Sequence, residues 1–476
     1  MRTTAAAAAD PTSMSACDLL AAYAARTLSP VEVTRAVLAR IAAENAKVNA
    51  FCLIDEAAAL QAASQSEARW QAGTPLGLCD GVPGTVKELL LSKGWPTVRC
   101  SRAIDRDQPW NEDAPSVALM RANGAVLLGK TTSPEFGWKG VTDSPLFGIT
   151  RNPWDLSRTS GGSSGGAAVA AALGMGALHL GTDGGGSIRM PAAFTGIFGL
   201  KPSYGRVPVY PPSAFGTTSH VGPMTRTVAD AALMLTILCG RDARDWLQLP
   251  GDQRDYGAGL DDGVRGLRIA YSPTLGYATV DPEVASLVER AVRKFEALGA
   301  RVDLVEKVME DPTEDFRKHW YTGAALAVAA IAPAKRALMD PGLVEIVEVG
   351  ASIPHMDYMH AVAARARLGV HMSLFHQKYD LLVTPGMPIA AFAAGVAVPD
   401  PQRQRNWIDW TPFTYPFNLT HQPAATMPCG LTRGRLPVAM QIVGAVYQDH
   451  LVLRAARAFE TLQPIALPQI PSARRN

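Results

Sequence analysis

From about residue 80 onward, short apolar runs closed off by glycine or proline alternate with stretches of helical period. The runs "GTVKELLL", "AVLLGKT", "LRIAYS", "DLLVTP", "AATMPCG" and "VAMQIVG" read as buried strands. Between several of them lie "DAPSVALMRANG", "GGAAVAAALGMGA" and "PEVASLVERAVRKFEALGA", which read as helices. Strands that alternate with helices restrict the chain to the α/β class, with a mixed, mostly parallel twisted sheet covered by helices on both faces. The region before residue 80 reads helical instead. In "SPVEVTRAVLARIAAENAKV", Ser29, Pro30 and Glu32 form a capping box with proline at the first helical position. Val31, Val33, Val37, Leu38 and Ile41 follow at helical spacing. "DEAAALQAASQSEARWQAG" is a second helix, ending near Gly73. The C-terminal "DHLVLRAARAFETL" is another, and no internal repeat of fixed period interrupts this pattern.

Of the 476 residues 47% are hydrophobic, enough apolar material for a large core. A net charge of +2 advertises no nucleic-acid surface. The six cysteines form no C-x-x-C pair, so neither a zinc knuckle nor a disulfide framework is indicated, and reduced thiols in a cytoplasmic protein are expected. The alanine-rich start reads as a frayed tail over residues 1–14, followed by one large domain over 15–476. That domain divides into N-terminal helices (15–75), a glycine- and serine-rich region (80–230), a more variable region (240–430) and a closing strand and helix (431–476). The apolar "GAALAVAAIAPA" (323–334) is too short to span a bilayer and reads as a buried or surface-packed helix.

"GTDGGGSIR" (181–189) sets three glycines directly before a serine. Glycine permits positive φ, so such a run can turn several N–H groups toward one point. The anion held there could be a phosphate or the oxyanion of acyl transfer, and the plain alternative is a tight turn. Two other patterns compete. "GAVLLGKT" (124–131) satisfies a phosphate-loop pattern, but its spacers are strand residues and Pro134 follows closely where a helix should open. "GGSSG" (161–165) fits a nucleophile elbow centred on Ser163, yet the polar "RNPWDLSRTS" before it supplies no strand. Lys87 lies in the apolar, proline-flanked "GVPGTVKELLL", an unusual place because a buried lysine is costly unless paired.

Taken together, "GVPGTVKELL", "GAVLLGKTTSPEFG", "RNPWDLSRTSGGSSGG", the long segment 161–208 and "LPVAMQIVGAVYQDHLVLRAARAFE" resemble the amidase signature family of hydrolases. The resemblance covers nearly the whole chain outside the alanine-rich tail, and it absorbs both competing patterns as ordinary family segments. It implies a Ser–cis-Ser–Lys triad: Lys87 as base, Ser163 as the bridging serine after a cis peptide bond, and Ser187 as nucleophile. It also implies an oxyanion hole from the N–H groups of Gly184, Gly185, Gly186 and Ser187. Asp183, Arg189 and Ser164 are read as supports. A neutral lysine can activate a serine without histidine, provided burial lowers its pKa. No cofactor and no metal are expected.

The implied function is cleavage of a C–N acyl bond in a small amide, anilide or carbamate through an acyl-enzyme that water resolves. The rival is the glutamine-hydrolysing subunit of a tRNA-dependent amidotransferase, which resembles the same family. A monomer or homodimer is expected, with neither nucleic acid nor membrane as partner. Residues 390–420 form a proline-rich aromatic stretch read as a long loop. From it Trp410 and Phe417 are taken as substrate-pocket residues, with Gly137 and Trp138 added by resemblance. Anchoring the loop to the core is the alternative. Within 405–420 Arg405 and Asp409 leave no charge cluster, so a neutral aryl or bulky apolar substrate is expected.

Overall fold

The computed structural model describes residues 10–250 and 254–468. Thirteen strands follow in chain order: β1 Phe51–Ile54, β2 Pro83–Lys87, β3 Val126–Thr131, β4 Asp143–Ser144, β5 Gly148–Ile149, β6 Leu178–Asp183, β7 Phe198–Lys201, β8 His220–Thr225, β9 Arg268–Tyr271, β10 Arg301–Leu304, β11 Leu381–Pro385, β12 Ala424–Leu431 and β13 Pro437–Gly444. Eleven of them build one sheet, in the order β1-β3-β2-β6-β8-β7-β12-β13-β11-β9-β10, and β4 and β5 pair separately. The expected α/β class holds and the sheet is mixed. Its parallel ladders lie in two wings, β3-β2-β6 and β11-β9-β10. Its middle, from β6 to β11, is antiparallel. The parallel share is smaller than the strand–helix alternation suggests, because β12 and β13 join through a short turn, as antiparallel neighbours can.

Local sequence explains where the elements begin and stop. In the helix Pro30–Val48, Ser29 Oγ accepts from Glu32 N at 3.2 Å and Glu32 Oε2 accepts from Ser29 N at 2.8 Å. The helix Glu56–Ala72 is capped by Asp55 and ends at Gly73, whose φ of 73° suits a residue without Cβ. All six strands read from sequence are present, although the run after Lys87 leaves the sheet in a turn. The helix Thr313–Ala327 takes in only the first part of "GAALAVAAIAPA"; a 3-10 turn over Pro333–Leu338 follows, and Leu326 is exposed. Of the expected tail, residues 1–9 lie outside the described residues. Residues 10–14 are not frayed. Asp10 caps the turn Pro11–Ser13, Thr12 is buried, and Asp10 pairs with Arg40 at 2.7 Å.

The main core lies where the helices cover the sheet. A second core, rich in aromatic side chains, joins Phe194, Phe316, Trp320, Trp407, Trp410 and Tyr415. It draws together the helix Thr313–Ala327, the helix Arg189–Thr195 and the 390–420 segment, and it packs against the glycine loop that follows β6. No helix among the described residues is long and apolar enough to cross a membrane.

Candidate active site

Strand β2 ends at Lys87 beside parallel β6, with Val86 opposite Leu180. β6 runs on through Thr182 and Asp183 into the glycine loop and Ser187, after which the helix Arg189–Thr195 begins. Ser163 and Ser164 lead into the helix Gly165–Ala172, and the Gly162–Ser163 bond is cis. These pieces converge on one amine. Lys87 Nζ lies 2.7 Å from Ser163 Oγ, 2.8 Å from Ser164 Oγ and 2.9 Å from Thr182 Oγ1. Ser164 is held in turn: its Oγ donates to Thr182 O and accepts from Thr182 N, while its own N–H donates to Ser187 O at 3.0 Å. Sequence reasoning misses Thr182, although it stands inside "GTDGGGSIR", because a threonine ending a strand carries no signal of its own.

Lys87 is 0% exposed, and its neighbours are hydroxyls rather than carboxylates. Burial therefore lowers its pKa to about 7, against a weaker upward pull from the Asp183 carboxylate. That carboxylate is already engaged. Arg189 Nε and Nη2 reach Asp183 Oδ2 and Oδ1, both at 2.9 Å, in a pair with no exposure on either side. Burial alone would raise the Asp183 pKa, but Arg189 and the hydrogen bonds around it hold it well below the usual carboxylate range.

Arg189 also donates to Thr414 O, Gln441 Oε1 and Asn418 Oδ1, tying the glycine loop to β13 and the 390–420 segment. Asp183 and Arg189, which flank the glycine run in sequence, are thus brought together as a buried ion pair. Arg189→Met is expected to leave the buried carboxylate uncompensated and destabilise the fold by about 3–5 kcal/mol. Arg189→Lys keeps the charge but not the planar fork, and should restore part of that loss. Thermal denaturation of the two variants checks both. Equal melting temperatures for Arg189→Met and the unaltered protein would contradict this account.

The glycine loop is bare because its neighbours come so close. A Cβ on Gly185 would stand 2.7 Å from Phe316 Cζ and Trp407 Cη2, and one on Gly184 would stand 3.0 Å from Trp320 Cζ3. Gly186 adopts φ +129° and faces Thr414. Its N–H donates to Asp183 Oδ1 at 2.7 Å. The expected fourfold set of oxyanion donors is therefore corrected: Gly186 shapes the loop, but its N–H is committed to Asp183. Among the described residues, no hydrogen bond claims the N–H of Gly184, Gly185 or Ser187.

Ser163, Thr182, Gly184 and Ser187 open onto one cavity of ≈ 140 Å³. Gly137 lines it; a Cβ there would come within 3.3 Å of Ser163 Oγ. Three of the pocket residues named from sequence do not line it. Trp410 is buried in the second core, stacked on Phe194 at 6.0 Å. Phe417 packs in a separate core with Leu275, Met372 and Tyr379. Trp138 is buried behind the wall, where its carbonyl accepts from Trp320 Nε1 at 3.0 Å. Trp410 and Phe417 anchor the 390–420 segment to the cores, the alternative reading of that stretch. The aromatic wall comes instead from Phe136, Tyr210, Phe215 and Trp320, with Phe215 and Trp320 stacked at 4.1 Å.

The competing patterns fall away on geometry. Lys130 of the phosphate-loop match is buried in β3, where its Nζ donates to Pro96 O and Thr97 Oγ1. No histidine lines the cavity among the described residues. His220 is buried in β8, with Nδ1 2.8 Å from Thr218 O. Among the described residues, no cluster of three or more His, Cys, Asp or Glu is placed to hold a metal ion.

The mixed sheet thus presents a buried lysine among serine and threonine hydroxyls beside a glycine loop. The Amidase family profile matches residues 32–453, and the chain belongs to the amidase signature family. It is 36% identical to an acylamidase of Rhodococcus erythropolis, over 95% of this chain and 96% of that protein. It is 37% identical to a glutamyl-tRNA(Gln) amidotransferase subunit of Myxococcus xanthus, over 94% and 97%. Among solved structures, a bacterial aryl acylamidase of the amidase signature family superposes with a TM-score of 0.88 at 31% identity, over 95% of this chain and 96% of that one.

Proposed function

We propose that the protein hydrolyses the C–N bond of small acylamides bearing an aryl or apolar group, with Ser187 as nucleophile, Ser163 as proton relay and Lys87 as base. The observation that carries this reading is the buried Lys87 amine, 2.7 Å from Ser163 Oγ, with Ser163 and Ser187 opening onto the same cavity. A neutral Lys87 accepts the proton of Ser163, which accepts that of Ser187 as Ser187 Oγ attacks the carbonyl carbon. The N–H groups of Gly184, Gly185 and Ser187 supply donors for the oxyanion. As the C–N bond breaks, the relay returns the proton to the leaving nitrogen. Water then cleaves the acyl ester by the same route, with Ser187 as leaving group.

The aryl preference is supported by the Phe215–Trp320 wall and by the cavity's size. An apolar space of about 150 Å³ is enough to hold a benzene ring. The ground for a strictly neutral substrate was the sparse charge of residues 405–420, and that segment does not line the cavity. The relatedness to an acylamidase favours this reading, while that to an amidotransferase subunit keeps glutamine hydrolysis as the second one. The free state of all six cysteines suits a reducing, cytoplasmic setting.

The test is kcat/KM for an anilide, an aryl carbamate, a primary amide and glutamine, measured side by side. The anilide is expected to exceed acetamide and glutamine. Equal or better efficiency on glutamine would transfer the assignment to the second reading.

A further inference from the structure

The catalytic cavity also contains an arginine that the proposed mechanism does not use. Arg99 lines it together with Phe136, and its guanidinium carbon lies 5.7 Å from the Phe136 ring centroid. Arg99 and Cys100 both have φ of 54°, a left-handed conformation that is uncommon for such residues and, in succession, has to be held by its surroundings. The ties are visible. Arg99 O accepts from Phe136 N at 2.8 Å, and Cys100 N donates to the buried Glu88 Oε2 at 2.7 Å.

The side chain, in contrast, makes no hydrogen bond among the described residues and meets only the Phe136 ring. Among the described residues no carboxylate forms an ion pair with Arg99, and no acceptor takes its N–H groups. Glu88 acts on it only electrostatically, while burial lowers the Arg99 pKa. Other buried guanidinium groups are treated differently. Arg189 has side-chain and backbone acceptors, Arg226 donates to three carbonyls, and Arg365 donates to Leu419 O and Thr217 O. A half-buried cation with free donors at a reactive cavity suits a planar anion that can accept two parallel hydrogen bonds.

We infer that Arg99 is a specificity residue that binds a carboxylate on the substrate, away from the scissile amide. This rests on the amidase reading of the cavity. The preferred substrates are then aryl or apolar acylamides that also carry a carboxylate, on either the amine or the acyl portion.

Two matched pairs distinguish the portions: 4-acetamidobenzoate against acetanilide, and succinanilate against butyranilide. In at least one pair the carboxylate substrate should show a kcat/KM roughly 10- to 100-fold above its neutral partner. Arg99→Gln should bring that ratio close to one, and Arg99→Lys, which keeps charge without the fork, should leave an intermediate ratio. Labelling of Ser187 by a fluorophosphonate reports that each variant is folded, and Arg99→Lys carries the test if Arg99→Gln is not. No preference in either pair, or a preference that survives the substitution, overturns the inference and leaves the amidase reading intact. If none of the four amides is cleaved, the anilide reading of the substrate fails on its own. Calorimetric binding of benzoate against benzamide then decides for Arg99: benzoate bound at least tenfold tighter, and only with Arg99 present, supports it, and equal affinities overturn it.

Discussion

Ser187→Ala is expected to lower kcat/KM on the order of 10⁴- to 10⁶-fold, the scale seen when a serine nucleophile is removed from an enzyme whose catalytic groups act as a unit. The fold should be almost unaffected. Ser187 is 4% exposed at the cavity floor, and no hydrogen bond among the described residues uses its Oγ. Its melting temperature should therefore match that of the unaltered protein, which separates a chemical defect from a structural one. A fluorophosphonate should label Ser187, as read by mass spectrometry of the modified peptide. Labelling of Ser163 with Ser187 left free would reverse the assignment of nucleophile and relay.

Lys87→Met should cause a loss of similar size, and combining it with Ser187→Ala should add little, because a base and the nucleophile it serves are lost together. Methionine is the better replacement than alanine, since it fills the channel that the buried stem occupies. The pH profile gives an independent reading. Lys87 can accept a proton only when neutral, and its pKa is lowered by burial to about 7. Below that value the protonated amine cannot act as base, so kcat/KM should rise with pH through about 7 and level off above it. A profile that is flat through this range, or that falls as pH rises, would remove Lys87 from the role of base. His220→Gln provides the contrast. Its imidazole is buried against Thr218 O rather than in the cavity, so activity should persist.

Much of this site was legible from contiguous residues. Asp183, the glycine run, Ser187 and Arg189 fall within residues 181–189, so the loop's local chemistry stands in one line of sequence. Lys87 was conspicuous because it interrupts an apolar run. What could not be read was which donors remain free. Gly184, Gly185 and Gly186 are equivalent as letters, and only the placement of Asp183 Oδ1 sets Gly186 apart. The pocket aromatics show the same limit. Trp410 and Phe417 were conspicuous by composition, yet they turn into the cores. Phe215 and Trp320, which form the wall, come from a loop and from a helix much further along the chain.

The alternation of strands and helices, the capping of Pro30–Val48 and the serine–glycine loops are local properties, set by periodicity, cap chemistry and backbone freedom over a few residues. They were therefore readable without coordinates. The depressed pKa of Lys87, the lining of the cavity and the lack, among the described residues, of a protein acceptor for the Arg99 guanidinium are not local. Each depends on what distant segments place, or fail to place, within a few ångströms: hydroxyls from β6 and from the loop before Gly165 around the amine, and, among the described residues, no carboxylate in an ion pair with the arginine. Desolvation and hydrogen bonding act through space rather than along the chain, so those properties came into view only once the chain had folded.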